Sequence, residues 1–351
     1  MIKKIDILVN HKLGCTNDIE ENMYIELERE HRINFLLKNY EKLRNIKGIC
    51  KDKSTLYIYA LTCTLRGICI DCNKINDSIK TIKENTLENS NFRGSSLINT
   101  AIAISNTKNP KESLGEIIDI YDNLNKNNCE ENQLLIFIAN KIFENKKHSS
   151  IIKSIEKMKY IYENIKNKGA FRESLDDYTL VYLIASNSER IDEDLKSVEK
   201  IYENLSKNIL KSSNTLKSLS YVLSFSKDLK AVDKFIKLKE AIEKAGIKII
   251  DSGLPILGGL SLIDIDDISK LINEIKAFLE KLKKYDLCNE VYLKEEYRNI
   301  IAIGLVLSKY HCDMKMEYAF SKKSIKSISQ GIDISIMSSA ASSILVASKD
   351  I

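Results

Sequence analysis

The chain has 351 residues, 54 of them Lys or Arg and 49 Asp or Glu, for a formal net charge of +5. Its 44% apolar content excludes a disordered or collagen-like chain, and a chain of this length buries roughly 75% of its unfolded surface with no disulfide or metal to help. Only 2 Pro and 12 Gly argue against a small barrel or sandwich, which spends turn residues at every corner.

The first ten residues, Met1 to Asn10, carry two lysines and a broken apolar stretch. A secretory signal needs about 7–15 consecutive apolar residues. The longest apolar runs, Gly253 to Ile263 and Ile300 to Leu307, fall short of the roughly 20 residues of a membrane span. The expected location is cytoplasmic, with no membrane span. There the eight cysteines are free thiols or metal ligands and not a disulfide framework. Lysines and glutamates alternate, as from Lys276 to Lys284. That is a solvated helix surface and not a basic stripe for nucleic acid.

In chain order, one apolar template recurs with steps of 3, 4 and 3 residues, the face of an α-helix. It begins with Ile33, Leu36, Tyr40 and Leu43, and continues with Cys72, Ile75, Ile79 and Ile82. Next come Leu114, Ile117, Tyr121, Leu124; then Ile155, Met158, Tyr162, Ile165; then Leu195, Val198, Tyr202, Leu205. Val232, Phe235 and Ile242 follow, with Lys239 at the third position, and the series ends at Ile268, Leu271, Ile275 and Phe278. The seven starting positions are spaced by 36 to 42 residues, and four of the tyrosines precede an acidic residue. Spacing and residue identity together define an internal repeat.

A second, more apolar helix is expected between successive templates: Thr55 to Arg66, Ser96 to Ser105, Asn132 to Glu144, Leu175 to Ser186, Thr215 to Ser226, Ser252 to Ile263 and Tyr297 to Lys309. Asn109-Pro110 with Glu112 reads as an N-cap, a first-position proline and an acidic first turn. Ser174 with Asp177 is a capping-box variant. The adjacent His311 and Cys312 read as a turn. The fold class is therefore all-α: tandem helical hairpins stacked as a HEAT-like α-solenoid, or a closed α/α ring if the curvature is tight. One domain is expected, with residues 1–32 an N-terminal helical cap, 33–310 about seven hairpins and 311–351 C-terminal capping helices.

Three elements recur in order: Asn91-Phe92-Arg93-Gly94-Ser95, then Phe171 to Tyr178 with Ser174-Leu175-Asp176-Asp177-Tyr178, then Leu216-Lys217-Ser218-Leu219-Ser220. With the Ile-Tyr-Glu-Asn helices, they make residues 30 to 310 similar to domain of unknown function family 4003, a bacterial family. The resemblance implies an all-helical cytosolic protein and supplies no activity.

These elements fall at the starts of second helices. Asp176 and Asp177 have the chemistry of a general acid–base pair or a divalent-metal site. They equally suit the first turn of a helix, where acidic groups meet the helix dipole, as do Asp266 and Asp267. Arg93 offers a bidentate guanidinium for an anion. Its competing reading is a salt bridge between repeats, with Gly94 in a left-handed turn. Arg172 follows Phe171 as Arg93 follows Phe92, and Ser213 lies at another helix start. The speculative ligand-binding set is Arg93, Arg172, Asp176, Asp177 and Ser213.

Cys63, Cys69 and Cys72 are the candidate metal ligands for zinc or an iron–sulfur cluster. Cys63 lies in an apolar helix and Cys72 at a template position, where thiols act as small hydrophobes, so no cofactor is predicted. The expected function is a binding or scaffold protein for a peptide, protein or small ligand. The alternative is an α/α-ring enzyme using Arg93, Asp176 and Asp177 in a central cavity.

Overall fold

A computed structural model describes residues 18–46, 53–65, 67–94, 96–126, 133–145, 151–167, 177–188, 190–208, 213–226, 230–263, 267–289 and 293–316. Among them every regular element is helical. The helices are α1 (Asp18–Arg44), α2 (Lys53–Leu65), α3 (Cys72–Asn85), α4 (Leu97–Ser105), α5 (Pro110–Lys126), α6 (Gln133–Asn145) and α7 (Ile151–Asn167). They continue as α8 (Asp177–Asn187), α9 (Ile191–Asn208), α10 (Ser213–Ser224), α11 (Lys230–Lys244), α12 (Leu254–Ser261), α13 (Ile268–Asn289) and α14 (Glu295–Met316). Each odd-numbered helix carries a template and each even-numbered helix is one of the expected apolar partners. Of the expected C-terminal capping helices, residues 317–351 lie outside the described residues.

The odd helices form for local reasons. Each has one apolar stripe: in α5, Leu114, Ile117, Ile120, Tyr121 and Leu124 are buried, and the charged residues take the opposite face. Three of their starts show side-chain caps. Asp71 accepts the Asn73 and Lys74 N–H groups at the start of α3. Asn109 accepts from Glu112 at 3.4 Å. Asp267 accepts from Ser269 at 2.8 Å and Lys270 at 3.2 Å, which gives that aspartate a capping role. In α11 the template lysine, Lys239, pairs with Glu243 at 2.7 Å, and Leu238 beside it takes the buried place.

The even helices are the more deeply buried, and two of them are buried over nearly their whole length. All residues from Leu97 to Ile104 in α4 are buried, as are all eight of α12. Each packs against its own odd partner, and α4, α6, α8, α10, α12 and α14 pack one on the next as a continuous series. Glycine allows the closest approaches. A Cβ on Gly258 would lie 2.6 Å from Leu219 Cδ1, and one on Gly253 2.7 Å from Ile300 Cγ1. One expectation needs correction. His311 and Cys312 lie within α14 and not in a turn, because no Gly or Pro stops the helix there.

The first and last hairpins pack together. α2 packs against α14 and α1 against α13. Gly304 of α14 faces Leu61 of α2, where a Cβ would lie 2.7 Å from Leu61 Cδ2. Between α2 and α4, the next even helices in sequence, the packing is slight by comparison. The first hairpin therefore docks mainly on the last.

Candidate functional site

Alternating directions place the starts of α4, α6, α8, α10, α12 and α14 at one end of their series. The sequence-predicted site residues gather there in sequence terms. Asp177 and Ser213 are the first residues of α8 and α10. Arg172 and Asp176 lie outside the described residues. Arg93 ends a short 3-10 turn, Asn91–Arg93, just before α4. The hairpin of α5 and α6 stands between the hairpins of Arg93 and Asp177, so the two residues belong to separate sectors of this end.

Arg93 is anchored locally. Its Nε donates to Thr86 Oγ1 at 3.1 Å, and its Nη2 donates to the carbonyls of Lys83 and Thr86. The guanidinium thus closes the C-terminal end of α3, where a cation also complements the helix dipole. This bonding is within one hairpin, whereas the expected salt bridge joined two. Gly94 has φ −83°, so the left-handed turn expected there is absent; positive φ occurs at Gly67 and Gly246.

Phe92 is buried and meets Tyr121 edge-on, with ring centroids 5.5 Å apart. Tyr162 stacks on Tyr178 at 5.1 Å, and Tyr40 on Tyr57 at 3.8 Å. The template tyrosines therefore tie odd helices to the starts of even ones as packing residues. A cavity of about 20 Å³ beside Leu124, Met158, Tyr162 and Tyr178 has room for about one water.

The cysteines sit apart. Cys63 is buried in α2, and Cys69 is exposed. Cys72 Sγ lies 3.5 Å from the Lys42 carbonyl, whereas Cys69 Sγ lies 3.5 Å from the Lys42 ammonium. The two sulfurs thus occupy opposite ends of one lysine. Among the described residues no group of three or more His, Cys, Asp or Glu is placed to hold a metal ion. No helix there is long and apolar enough to cross a membrane.

Two polar clusters escaped sequence reading. The first joins the first and last hairpins. Asp286, 3% exposed, accepts from Tyr57 at 3.3 Å and from Arg298 Nε and Nη2 at 3.0 and 2.7 Å. Burial, and then the Asp286 charge, push the Tyr57 hydroxyl far above the usual tyrosine range. Tyr285 donates to Glu41, and burial followed by that bond raises it too. The second cluster lies at the start of α4. Asn140 Nδ2 on α6 donates to Thr100 Oγ1 at 3.0 Å. Asn140 Oδ1 and Asn99 Nδ2 are buried and have no partner among the described residues. A pair of polar residues within an apolar run, Asn99-Thr100 and Asn140-Lys141, is the trace the two asparagines leave in the sequence.

A family model described as Protein of unknown function (DUF4003) matches residues 39–337. No curated protein matches the chain, and no solved structure does.

Proposed function

The chain belongs to the DUF4003 family of proteins of unknown function, and from that premise we propose that it is a cytoplasmic binding or scaffold protein. In this reading its seven hairpins form an α/α ring with a seam, where the first hairpin meets the second only slightly. A peptide, protein or small ligand is held at the rim where the even helices begin. One observation carries the reading: the first hairpin docks on the last, α2 on α14 and α1 on α13.

Closure removes the long concave groove that an open solenoid would offer a partner. The even helices, buried on every side over Leu97–Ile104 and Leu254–Ser261, leave the interior filled with side chains. The rim is then the place where turn residues from successive hairpins can converge on one ligand. Architecture supports this reading by analogy, and chemistry at the rim has to support it directly.

A second reading draws on the same closure. An α/α-ring enzyme would use Arg93, Asp176 and Asp177 at the same rim. The occupied guanidinium of Arg93 favours the binding reading over it.

Native mass spectrometry of the protein isolated from the cells that make it tests both. The expected result is a stoichiometric adduct, a polypeptide or a small molecule, that is lost in the Asp176→Ala, Asp177→Ala variant while folding is retained. An unliganded mass, obtained again after crosslinking in the cell before lysis, overturns the binding reading. An adduct that the purified protein converts to a new mass favours the enzyme.

A further inference from the structure

α2 has no exposed side over its middle. Leu56, Tyr57, Ile58, Tyr59, Ala60 and Leu61 are all buried, and successive residues at about 3.6 per turn pass right round a helix. Tyr57 and Leu61 share one face, a turn apart. Tyr57 meets Tyr40 of α1 and Asp286 of α13, and Leu61 meets Gly304 of α14, so those helices take that face. Thr55 and Tyr59 lie a turn apart on the side away from it and are 8% and 5% exposed. α4 shows the same pattern. Its Thr100 faces Asn140 of α6, and Ile98 and Ile102, on the side away from α6, are 4% and 9% exposed. These two faces do not cover each other, because α2 and α4 pack only slightly.

Covered faces on two helices that stand apart call for a third element between them. α14 ends at Met316, and the family match runs on to residue 337. Residues 335–348 contain no charged residue, Gly or Pro, only Ile, Leu, Val, Met, Ala and Ser. No other stretch outside the described residues is uncharged for so long. α4 and α12, the most deeply buried even helices, likewise carry no charge. As a helix, residues 335–348 would span about 21 Å, close to the roughly 20 Å of α2. The small side chains from Ser338 to Ser343 let neighbouring helices approach closely. The stretch 317–334 reaches up to about 60 Å when extended, and packed helices stand roughly 10 Å apart, so the seam is within reach past the first hairpin.

We propose that residues 335–348 of this same chain occupy the seam, as an uncharged helix packed between α2 and α4 that completes the even series. An occupant with α2 on one side and α4 on the other has little surface left for a solvated charge, and a charge buried there without a partner would be costly. That requirement selects the one long uncharged segment. The seam lies between two hairpins and the rim at their ends, so this inference goes beyond the rim reading and needs no ligand there.

Amide hydrogen exchange of the full-length parent protein is the first test. The expected result is exchange in residues 335–348 slowed at least about a hundredfold relative to an unstructured chain. Exchange at the unstructured rate overturns the proposal. Ala341→Lys then locates the segment. Its charge should cut protection at least about tenfold in residues 335–348 and, together with them, in residues 55–62 of α2 and 98–104 of α4, while α10 and α12 keep theirs. A loss confined to residues 335–348, or spread evenly over all hairpins, overturns the seam as their place. Should Ala341→Lys not fold, a photo-crosslinking residue at Leu345 decides. Links to peptides of α2 and α4 within one chain support the proposal. Links to other helices overturn it, as do links that give a dimer mass or capture a foreign polypeptide, because a second copy or a partner then fills the seam.

Discussion

The interface between α10 and α12 and the one between α2 and α14 share one device, a glycine that admits a leucine. Gly258 receives Leu219, and Gly304 receives Leu61. Around the first, the neighbours are apolar: Leu219, Val222, Leu257 and Leu260 are all 0% exposed. Around the second, polar and aromatic groups crowd in. Tyr57, Asp286 and Arg298 form one buried cluster. Nearby, Arg32 donates to Ser308 at 3.0 Å, Lys281 pairs with Glu26 at 2.6 Å, and Arg29 lies 6.0 Å from the Phe278 ring centre. Hairpins adjacent in sequence meet with their register already set by a short turn, so shape alone suffices. The two ends have no such guide. Directional bonds there select one docking among the many that a greasy surface would allow.

The comparison breaks most sharply at Arg298. Truncating Arg298→Ala would leave Asp286 buried with Tyr57 as its one donor among the described residues, and removing one partner of a buried pair costs about 3–5 kcal/mol. Leu219→Ala in the apolar interface should cost a similar amount, about 2–5 kcal/mol. The two should differ in where the loss appears. Amide hydrogen exchange should accelerate first in α1 and α2 for Arg298→Ala, because the first hairpin is held chiefly by the last. For Leu219→Ala, protection should fall throughout the helices packed around α10. Equal loss in both regions in both variants would show the two interfaces to be one cooperative unit.

This difference also marks how far the sequence could be read. The odd helices were legible because each repeats a stripe within a dozen residues. Even there the template chose one of two adjacent positions. Ile161 and Ile201 are 0% and 3% exposed, whereas the template tyrosines beside them, Tyr162 and Tyr202, are only partly buried. A stripe wider than 100° holds both neighbours, and the more regular residue drew attention from the more buried one. The even helices were legible as apolar runs between polar clusters. The α2–α14 contact was not, because Tyr57 and Asp286 are 229 residues apart and no periodicity links them. For the candidate site, Arg93 was legible as a residue of special position, but its use was not. Whether a guanidinium meets a ligand or the end of its own hairpin depends on the angle between α3 and the turn after it. Asn99 gave still less, since a buried donor is unusual only once its missing partner is known.

A smaller change sharpens the comparison within the polar interface. Tyr57→Phe keeps the ring that stacks on Tyr40 at 3.8 Å and removes only the donor to Asp286. Arg298 still holds the other oxygen, so the expected cost is that of one hydrogen bond to a charged group, about 1.5–3 kcal/mol. The raised tyrosines add a pH signature. A folded value above the unfolded one, near pH 10, contributes stability that is complete below pH 10 and lost as pH rises beyond it. Chemical denaturation of the parent protein should therefore weaken above pH 10, and Tyr57→Phe should show a shallower alkaline loss. An unchanged alkaline slope would leave Tyr285 as its source.

The smallest effect belongs to the exposed edge of the same interface. The hydrogen bond from Lys281 holds Glu26 below the ordinary glutamate value of 4.5; burial opposes it, and the charges of Lys281 and Arg29 add to the lowering. A depressed carboxyl contributes stability that is present above its unfolded value and lost as pH falls through the folded one. The loss therefore falls below about pH 4.5. The Glu26 side chain is 51% exposed, so salt screens the pair, and an exposed pair is worth about 0–1 kcal/mol. Between pH 5 and 3 at low salt, the parent protein should lose slightly more stability than Glu26→Gln, and added salt should merge the two curves. Curves that coincide even at low salt would assign the whole docking of α1 on α13 to buried groups. The exposed pair would then set only the rate at which the ends find each other, since unscreened charge acts on encounter before contact forms.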